Sequence, residues 1–365
     1  MNGRDTVERG GRTWMRTIRF IVISAVAVLG CLLLDRTPGI GQMAAARPTV
    51  QLQGAGATFP APLYKKWIAT FMAQNPDVAV EYKDVGSGEG VKRFLTRTVD
   101  FGASDGALTD EQMASVSDGA RLVPATAGIV VLAYNLPGLG GGLRLSRDVY
   151  VDIFLRKIEM WNDPRIHAIN PAIKLPNRSI VIAARQDGSG TTFALANHLS
   201  AVSPAWRQGP GVGYSIDWSG RAMVARGNEG VAGLIKNSEG AIGYVEYGFA
   251  ERLGLPMAHL QNKAGRYVAP SHGSGQAALT NNVKQMPTNL RLYVPDPEGA
   301  ESYPIVSLSW LLIYDHYQDP QKAAALKRFV TWGLSLGQLN AVELGYIALP
   351  TKVASLSRAS VERIQ

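Results

Sequence analysis

The sequence predicts an α/β protein built from two lobes. Short apolar runs alternate with amphipathic stretches along most of the chain, which is typical of strands and helices packed in α/β layers. Two of the apolar runs are long, and they flank a self-contained α/β block. We expect both runs to carry the chain between the lobes, so that the first lobe contains both ends of the mature chain.

The strand and helix patterns follow one another in order. Seven apolar runs predict strands: "TVQLQG" (49–54), "VAVEYKDV" (78–85), "VDFGAS" (99–104), "TAGIVVLAYNLPG" (126–138), "SIVIAAR" (179–185), "AIGYVEY" (241–247) and "YPIVSLSWLLIYD" (303–315). Amphipathic or apolar periodic stretches predict helices: "PAPLYKKWIATFMAQN" (60–75), "EGVKRFLTRT" (89–98), "RDVYVDIFLRK" (147–157), "TFALANHLSAV" (192–202), "GVAGLIKN" (230–237) and the helical close of the chain over 321–350. Residues 262–300 are rich in Gly, Pro, Ser and Asn, which indicates loops.

These elements predict the lobe boundaries. We expect lobe 1 to comprise residues 47–130 and 304–365, and lobe 2 to comprise residues 131–303. Ligands of open α/β sheets bind at the carboxyl ends of strands, where helices begin. The polar loops of this sequence lie at such positions.

Residues 1–46 are expected to be a signal peptide. A basic start precedes an apolar run of fifteen residues (20–34), which is shorter than the about 20 residues of a spanning helix. Ala44, Ala45 and Ala46 then offer a cleavage site. We expect export to the periplasm; a retained membrane anchor and lipidation at Cys31 remain open.

Composition and charge exclude several classes of protein. Cys31 is the single cysteine of the 365 residues, which excludes an internal disulfide framework and any multi-cysteine metal site. The formal net charge is +8, and residues beyond 46 carry +5 of it. No basic stripe interleaved with aromatic residues occurs, so nucleic-acid binding is not expected, whereas a mild positive field suits a small anion.

Three glycine-rich loops connect a predicted strand to a predicted helix: "GAGATFPAP" (54–62), "DVGSGEGVK" (84–92) and "RQDGSGTTF" (185–193). Glycines let a backbone approach a ligand closely, and hydroxyls and free helix N–H groups favour an oxyanion. Each loop alone is also compatible with a capped helix after a glycine turn. Three such loops in one chain favour an anion site.

Hydroxyl residues occupy the starts of the three helices. Thr58 is expected to be the N-cap of the first helix, and Ser87 to occupy the capping position of the second. Ser189, Thr191 and Thr192 are expected at the start of the third helix.

Charged residues in these loops suggest how an anion is held. Arg185 can donate two parallel N–H bonds to an oxyanion, with Asp187 fixing its orientation; a purely structural pair of the two is the alternative. Asp105 is unusual, because a carboxylate normally repels an anion. It can accept a hydrogen bond from a protonated phosphate, which sulfate cannot donate; a turn or cap role is the alternative.

These segments resemble the phosphate-binding proteins of bacterial ABC phosphate importers, the PstS family, over residues 51–350. The resemblance rests on six stretches: "GAGATFPAPLYKKW", "GVKRFLTRTVDFGASD", "KIEMWNDP", "NPAIKLP", "RQDGSGTTF" and "GAIGYVEY". It implies a two-lobed periplasmic binding protein of type II, with two hinge crossovers and phosphate in the interlobe cleft. It also implies delivery of phosphate to the permease subunits of an ABC transporter by a monomer that needs no cofactor and no metal.

The resemblance implies a phosphate-binding set by position: Thr58, Phe59, Ser87, Asp105, Arg185, Asp187, Ser189, Gly190 and Thr191. The second loop departs from the family pattern Gly-Ser-Ser-Gly-Gly, because Gly88 replaces a serine and Glu89 replaces a glycine. We expect Glu89 to point outward in the first helical turn, where an acidic residue is favourable.

Three rival functions are open, and an enzyme is the first. It is not expected, because no Walker motif and no His-Glu-x-x-His occurs, and Ser189 in the third loop lacks the flanking glycines of a Gly-x-Ser-x-Gly nucleophile turn. The five histidines are scattered and are interpreted as surface or cap residues: His167, His198, His259, His272 and His316. A binder of another oxyanion or of a phosphate ester is the second rival, and a surface phosphate sensor is the third.

Overall fold

The computed structural model describes residues 50–218 and 220–365. The predicted signal peptide and Cys31 lie outside the described residues.

Eleven strands form within the described residues. They are β1 (Val50–Gly56), β2 (Val78–Asp84), β3 (Phe101–Ser104), β4 (Ala120–Tyr134), β5 (Arg144–Leu145), β6 (Val181–Arg185), β7 (Ala222–Ala225), β8 (Ala241–Glu246), β9 (His259–Gln261), β10 (Tyr267–Val268) and β11 (Val306–Tyr314). All seven predicted strands are therefore present, although β4 begins earlier than the apolar run suggested.

Thirteen α-helices form in the same described part of the chain. They are α1 (Ala61–Gln74), α2 (Ser87–Leu95), α3 (Asp110–Ala114), α4 (Arg147–Phe154), α5 (Pro164–Ile169), α6 (Gly190–Val202), α7 (Pro204–Gln208), α8 (Gly227–Asn237), α9 (Tyr247–Arg252), α10 (His272–Asn282), α11 (Pro320–Gly333), α12 (Gln338–Glu343) and α13 (Thr351–Val361). None of the helices in these residues is long and apolar enough to cross a membrane.

One mixed sheet of eight strands organises the fold, in the order β2-β1-β3-β11-β4-β8-β6-β7. In its first half, β1 pairs in parallel with β2 and β3. In its second half, β6 pairs in parallel with β7 and β8. A small second sheet has the order β10-β9-β5.

Strand β4 joins the two halves. Its fifteen residues are buried except at the first two positions. Residues 120–129 of β4 pair antiparallel with β11, whereas residues 130–134 pair antiparallel with β8. Strand β4 therefore changes its pairing partner at Val130, from β11 to β8.

The interpretation of residues 262–300 as loops was wrong in part, because they contain the eleven-residue helix α10. Apolar residues do not recur at helical spacing in "HGSGQAALTNN", so periodicity could not reveal it. Ser271 begins the helix instead: its side chain accepts from the backbone N of Ser274, and the Ser274 side chain accepts from the backbone N of Ser271. Buried Ala278 and Leu279 then fix it to the core.

Helix α2 packs its backbone directly against the first half-sheet. A Cβ atom added at Gly90 would lie 2.4 Å from the Cα of Gly56 and 2.8 Å from the carbonyl O of Ala103. A side chain at position 90 would therefore force the helix away from β1 and β3. At Gly233, on α8, an added Cβ would meet no atom within 4 Å.

We predict that Gly90→Ala lowers the free energy of unfolding by about 1–3 kcal/mol, because overpacking shifts the helix. The matched variant Gly233→Ala should leave it unchanged or raise it by up to ~1 kcal/mol, because alanine favours a helix. Urea unfolding of both variants measures the difference. Equal stability of the two variants would contradict the packing described here.

Candidate functional site

The three glycine-rich loops meet where the two half-sheets face each other. The backbone N of Gly88 donates to the carbonyl O of Gly188 at 2.9 Å, joining the α2 turn to the loop after β6. A Cβ added at Gly190 would lie 2.4 Å from both Ser87 Oγ and Asp105 Oδ2. The second and third loops therefore lie close together, and a side chain at position 190 would collide with Ser87 and Asp105.

Asp105 follows β3 and is buried, with 1% of its surface exposed. Ser309 Oγ on β11 donates to Asp105 Oδ1 at 2.7 Å, and Ser87 Oγ lies 3.4 Å from Oδ2. Burial raises the pKa of Asp105 to about 7, against the opposing effects of Ser309, Arg185 and Ser87. This buried carboxyl accepts hydrogen bonds from two serine hydroxyls, one on β11 and one on α2.

Arg185, the last residue of β6, is also buried and is held by Asp187. Its Nε donates to Asp187 Oδ1 at 2.8 Å and its Nη2 donates to Oδ2. The backbone N of Gly227 also donates to Asp187 Oδ1, at 3.0 Å. Burial raises the pKa of Asp187, but the hydrogen bonds and the charge of Arg185, together with the backbone N–H of Gly227, outweigh burial and hold that pKa below its usual value. Arg185 and Asp187 are therefore paired, as both an oriented anion donor and a purely structural pair predict.

The third loop caps α6 as predicted. Ser189 is the N-cap, and its Oγ accepts from the backbone N of Thr192 at 3.0 Å. Gly190 and Thr191 form the first turn and are buried. Arg185 Nη1 approaches Thr191 Oγ1 at 3.4 Å, so this hydroxyl lies beside the guanidinium.

The capping roles predicted for the other two loops were wrong. Helix α1 begins at Ala61 after Pro60, and Thr58 instead accepts hydrogen bonds from Asn228. Helix α2 begins at Ser87 itself, after Gly86 with φ of 95°. Buried polar groups on other elements compete with the helix ends for these hydroxyls.

The Ser87 hydroxyl is turned toward Asp105 rather than toward its own helix. It accepts from the backbone N of Asp105 at 3.2 Å. Glycine is needed before it, because a Cβ at Gly86 would lie 2.3 Å from Asp187 Oδ2. The second loop therefore contacts both Asp105 and Asp187.

Phe59 and Glu89 differ sharply in exposure. The Phe59 ring is fully buried, and its carbonyl O accepts from Tyr346 Oη at 2.7 Å, so only its backbone N can face a ligand. Glu89 lies in the first turn of α2 with 39% of its side chain exposed, and it accepts from Arg93 Nε at 2.7 Å. This hydrogen bond lowers the pKa of Glu89. The expectation that Glu89 points outward is confirmed.

Two residues of the site escaped the sequence analysis. Asn228 is the second residue of α8 and lies in "ARGNEG", a fourth glycine-containing turn between a strand and a helix, and it contacts both Thr58 and Thr191. Ser309 lies in the apolar strand "VSLSWLLIY", where a polar residue is conspicuous. The rule applied to the other loops could have found Asn228, whereas the partner of Ser309 could not be read from the chain.

One histidine assignment was also wrong. His198 is buried at 1% exposure between Tyr150 Oη, at 2.9 Å, and the carbonyl O of Pro295, at 2.7 Å. Burial lowers the pKa of His198 to about 4. It is a core residue away from the loops.

An open cavity of about 1030 Å³ adjoins the buried residues. Its walls include Thr58 and Gly88 from the first half and Asp187, Gly188 and Asn228 from the second half. Solvent therefore reaches the outer side of the site between the half-sheets.

A protein-family model described as a PBP superfamily domain matches residues 43–335. The phosphate-binding protein PstS of Pasteurella multocida is 39% identical over 303 residues, covering 83% of this chain and 87% of the relative. A protein of the same name from Methanocaldococcus jannaschii is 36% identical over 339 residues, covering 87% of each chain.

Solved structures confirm the predicted fold class. The phosphate-bound periplasmic phosphate-binding protein PfluDING matches with a TM-score of 0.69 at 19% identity, covering 85% of this chain and 93% of that one. A phosphate-bound putative phosphate ABC transporter substrate-binding protein from Clostridium perfringens matches with a TM-score of 0.59 at 16% identity, covering 82% and 100%. At these identities the likeness shows the fold.

The raised pKa of Asp105 predicts a pH dependence of stability. Its pKa moves from the ordinary value of 3.8 to about 7, so between these values the folded state holds a proton that the unfolded state has released. The contribution of Asp105 to the free energy of unfolding therefore falls as pH rises through this window, and stays low above it. Relative to Asp105→Asn, the wild type should lose up to roughly 1.4 kcal/mol per pH unit there.

Chemical unfolding at several pH values in phosphate-free buffer measures this difference. Asp163→Asn is the control, because the hydrogen bond from Arg165 lowers the pKa of Asp163. The ionised Asp163 stabilises the folded state, so its contribution should grow as pH rises through the unfolded pKa. The same direction for both variants would contradict the raised pKa of Asp105.

Proposed function

Because the chain belongs to the PstS family of phosphate-binding proteins in the PBP superfamily, we propose that it binds inorganic phosphate between the two half-sheets and delivers it to an ABC-type phosphate importer. The observation that carries the proposal is a buried set of hydrogen-bond donors that faces one buried carboxyl, Asp105.

Asp105 supplies the selectivity. Phosphate at neutral pH keeps a hydroxyl group that can donate a hydrogen bond to Asp105, whereas sulfate has no proton and can donate none. With sulfate the Asp105 carboxylate would lie buried beside a second anion and would receive no hydrogen bond from it, and a lost hydrogen bond to a buried acceptor costs about 1–3 kcal/mol. Asp105 therefore favours phosphate over unprotonated oxyanions.

Arg185 supplies the positive charge. Among the described residues, contacts to Asp187 and Thr191 use three of its five N–H donors. The remaining donors are free to form charge-assisted bonds to a phosphate oxygen. Since Asp187 fixes the guanidinium plane, little side-chain freedom is lost when phosphate binds.

The proposed phosphate-binding set keeps the predicted residues. It comprises Thr58, Phe59, Ser87, Asp105, Arg185, Asp187, Ser189, Gly190 and Thr191, of which Asp187 acts by holding Arg185. The close approach of Gly190 to Ser87 and Asp105 leaves little room for a bulky substituent, which supports free phosphate over a phosphate ester.

The proposed lobes are residues 47–130 with 304–365, and residues 131–303. The change of partners within β4 at Val130 supports the first boundary. Hydrogen bonds between the half-sheets, from Gly88 to Gly188 and from Asn228 to Thr58, support a closed arrangement. Phosphate would stabilise this closed form by bridging the lobes.

The protein would bind phosphate and release it chemically unchanged. The relatives are named as phosphate-binding proteins, which supports transport rather than catalysis. We propose that the exported protein acts as a monomer with the permease subunits and without nucleic acid, in the periplasm. The alternative to a free periplasmic protein is one that stays attached to the membrane, through its N-terminus or through a lipid on Cys31.

Isothermal titration tests the ligand. We expect binding heat with phosphate and at least about 10-fold weaker binding of sulfate, because sulfate cannot donate a hydrogen bond to Asp105. Asp105→Asn should weaken phosphate binding by about 10- to 100-fold and narrow the difference between the two anions. Equal affinity of the wild type for phosphate and sulfate would overturn the proposed selectivity.

Arg185→Lys tests the orientation of the positive charge. Lysine keeps the charge but cannot make the two-pronged contact to Asp187 while donating to phosphate, so we expect a loss of roughly 100-fold in affinity. Arg328→Lys is the matched control, because Arg328 pairs with Asp77 at 2.8 Å on the surface. Phosphate titration of both variants should show the loss only at Arg185.

A further inference from the structure

Asn228 is a fully buried side chain that touches both halves of the sheet. Its Nδ2 donates to Thr58 Oγ1 and to Thr191 Oγ1, each at 3.0 Å. Thr58 follows β1 in the first half, and Thr191 lies on α6 in the second. A single amide therefore connects two hydroxyls that come from opposite sides of the cleft.

The main chain fixes the orientation of this amide. The backbone N of Glu246, at the end of β8, donates to Asn228 Oδ1 at 2.9 Å. An N–H group requires an acceptor, so the oxygen of the amide must face Glu246. The NH₂ group then faces the two threonines and cannot be exchanged with the oxygen.

This orientation determines what the Thr58 hydroxyl can do. Thr58 Oγ1 accepts from the side-chain Nδ2 of Asn228 at 3.0 Å and from its backbone N at 3.3 Å. A hydroxyl has two lone pairs and one proton. Since both lone pairs are used, the Thr58 hydroxyl can only donate to a further group.

The Thr191 hydroxyl, like that of Thr58, accepts hydrogen bonds from two N–H groups. It accepts from Asn228 Nδ2 at 3.0 Å and from Arg185 Nη1 at 3.4 Å. The Thr191 hydroxyl donates its own proton to Asn228 Oδ1 at 3.4 Å, a long hydrogen bond to an amide oxygen that also accepts from the backbone N of Glu246. An oxyanion in the site is therefore the stronger acceptor for the Thr191 proton.

Resting on the proposed function, we propose that Asn228 is a positioning residue that makes the Thr58 and Thr191 hydroxyls donors to phosphate. Without it, each hydroxyl could either donate or accept. With it, the hydroxyls donate and Asp105 remains the acceptor for the phosphate proton. The division between donors and acceptor in the site thus depends on a residue outside the phosphate-binding set.

Asn228→Asp tests the polarity directly. The new carboxylate keeps the acceptor for the Glu246 N–H but has no N–H, so both threonine hydroxyls would donate to it instead of to phosphate. We expect phosphate affinity to fall at least 100-fold in titration calorimetry, and about 10-fold in Asn228→Ala. A role in packing alone predicts the opposite order, because aspartate preserves the shape of asparagine and alanine does not.

A double-mutant cycle with Thr58→Val separates positioning from charge repulsion. If Asn228 acts through the Thr58 hydroxyl, the loss caused by Asn228→Asp should shrink at least 5-fold in the Thr58→Val background. Repulsion between the new carboxylate and phosphate would be the same in both backgrounds. If Asn228→Asp does not fold, the same cycle with Asn228→Ser decides, because serine is too short to bridge both threonines.

Asn262→Ala is the matched control. Asn262 is as buried as Asn228 and its amide donates to the carbonyl O atoms of Gly299, Ala300 and Ser302, away from the loops. We expect both alanine variants to lower the melting temperature and Asn228→Ala alone to weaken phosphate binding. The proposal for Asn228 is overturned, while the proposed function stands, if the wild type binds phosphate and the Asn228 variants bind it with an affinity within 3-fold of the wild type. It is also overturned if the double-mutant cycle shows no coupling between Asn228 and Thr58. If the wild type itself gives no heat with phosphate, the proposed function is overturned and this proposal with it.

Discussion

The burial of the Asp105 carboxyl is the constraint on which the rest of the site depends. A carboxyl removed from water requires hydrogen-bond donors, and here they come from two elements that are remote along the chain. Ser309 can reach it only because β11 pairs antiparallel with β3, with Trp310 opposite Ser104. A slip of one residue would turn Ser309 to the other face of the sheet, so the strand register is part of the site.

The glycines define the size of what can be held between the half-sheets. Gly86, Gly88 and Gly190 each face a loop of the other half at a distance where a Cβ atom would overlap or press against it. A side chain added at these positions would collide with the facing loop, so the space between the loops is narrow. A small anion that accepts from many N–H and O–H groups fits this surface, and a bulky ligand does not.

The polarity of the site is linked to the strand that joins the halves. Glu246 pairs with Val130, where β4 leaves β11 for β8, and its backbone N orients the amide of Asn228. The same amide orients Thr58 and Thr191 across the cleft. The direction of the hydrogen bonds from Thr58 and Thr191 to a ligand is therefore determined near Val130, where β4 joins the two halves of the sheet.

The sequence by itself determined the order of strands and helices, the α/β class and the loops that form the site, because apolar periodicity, glycine turns and helix-start residues act between near neighbours in the chain. It identified Arg185 with Asp187 for the same reason, since the two residues are close together in one loop. It missed four short strands (β5, β7, β9 and β10) and several helices, among them α10, which has no apolar stripe, and it assigned Thr58 and Ser87 to helix caps. Only the tertiary structure decided the partners of these hydroxyls: Asn228 lies 170 positions from Thr58, and Ser309 lies 204 positions from Asp105. A buried hydroxyl bonds the nearest unsatisfied group in space, and packing of distant elements determines which group that is.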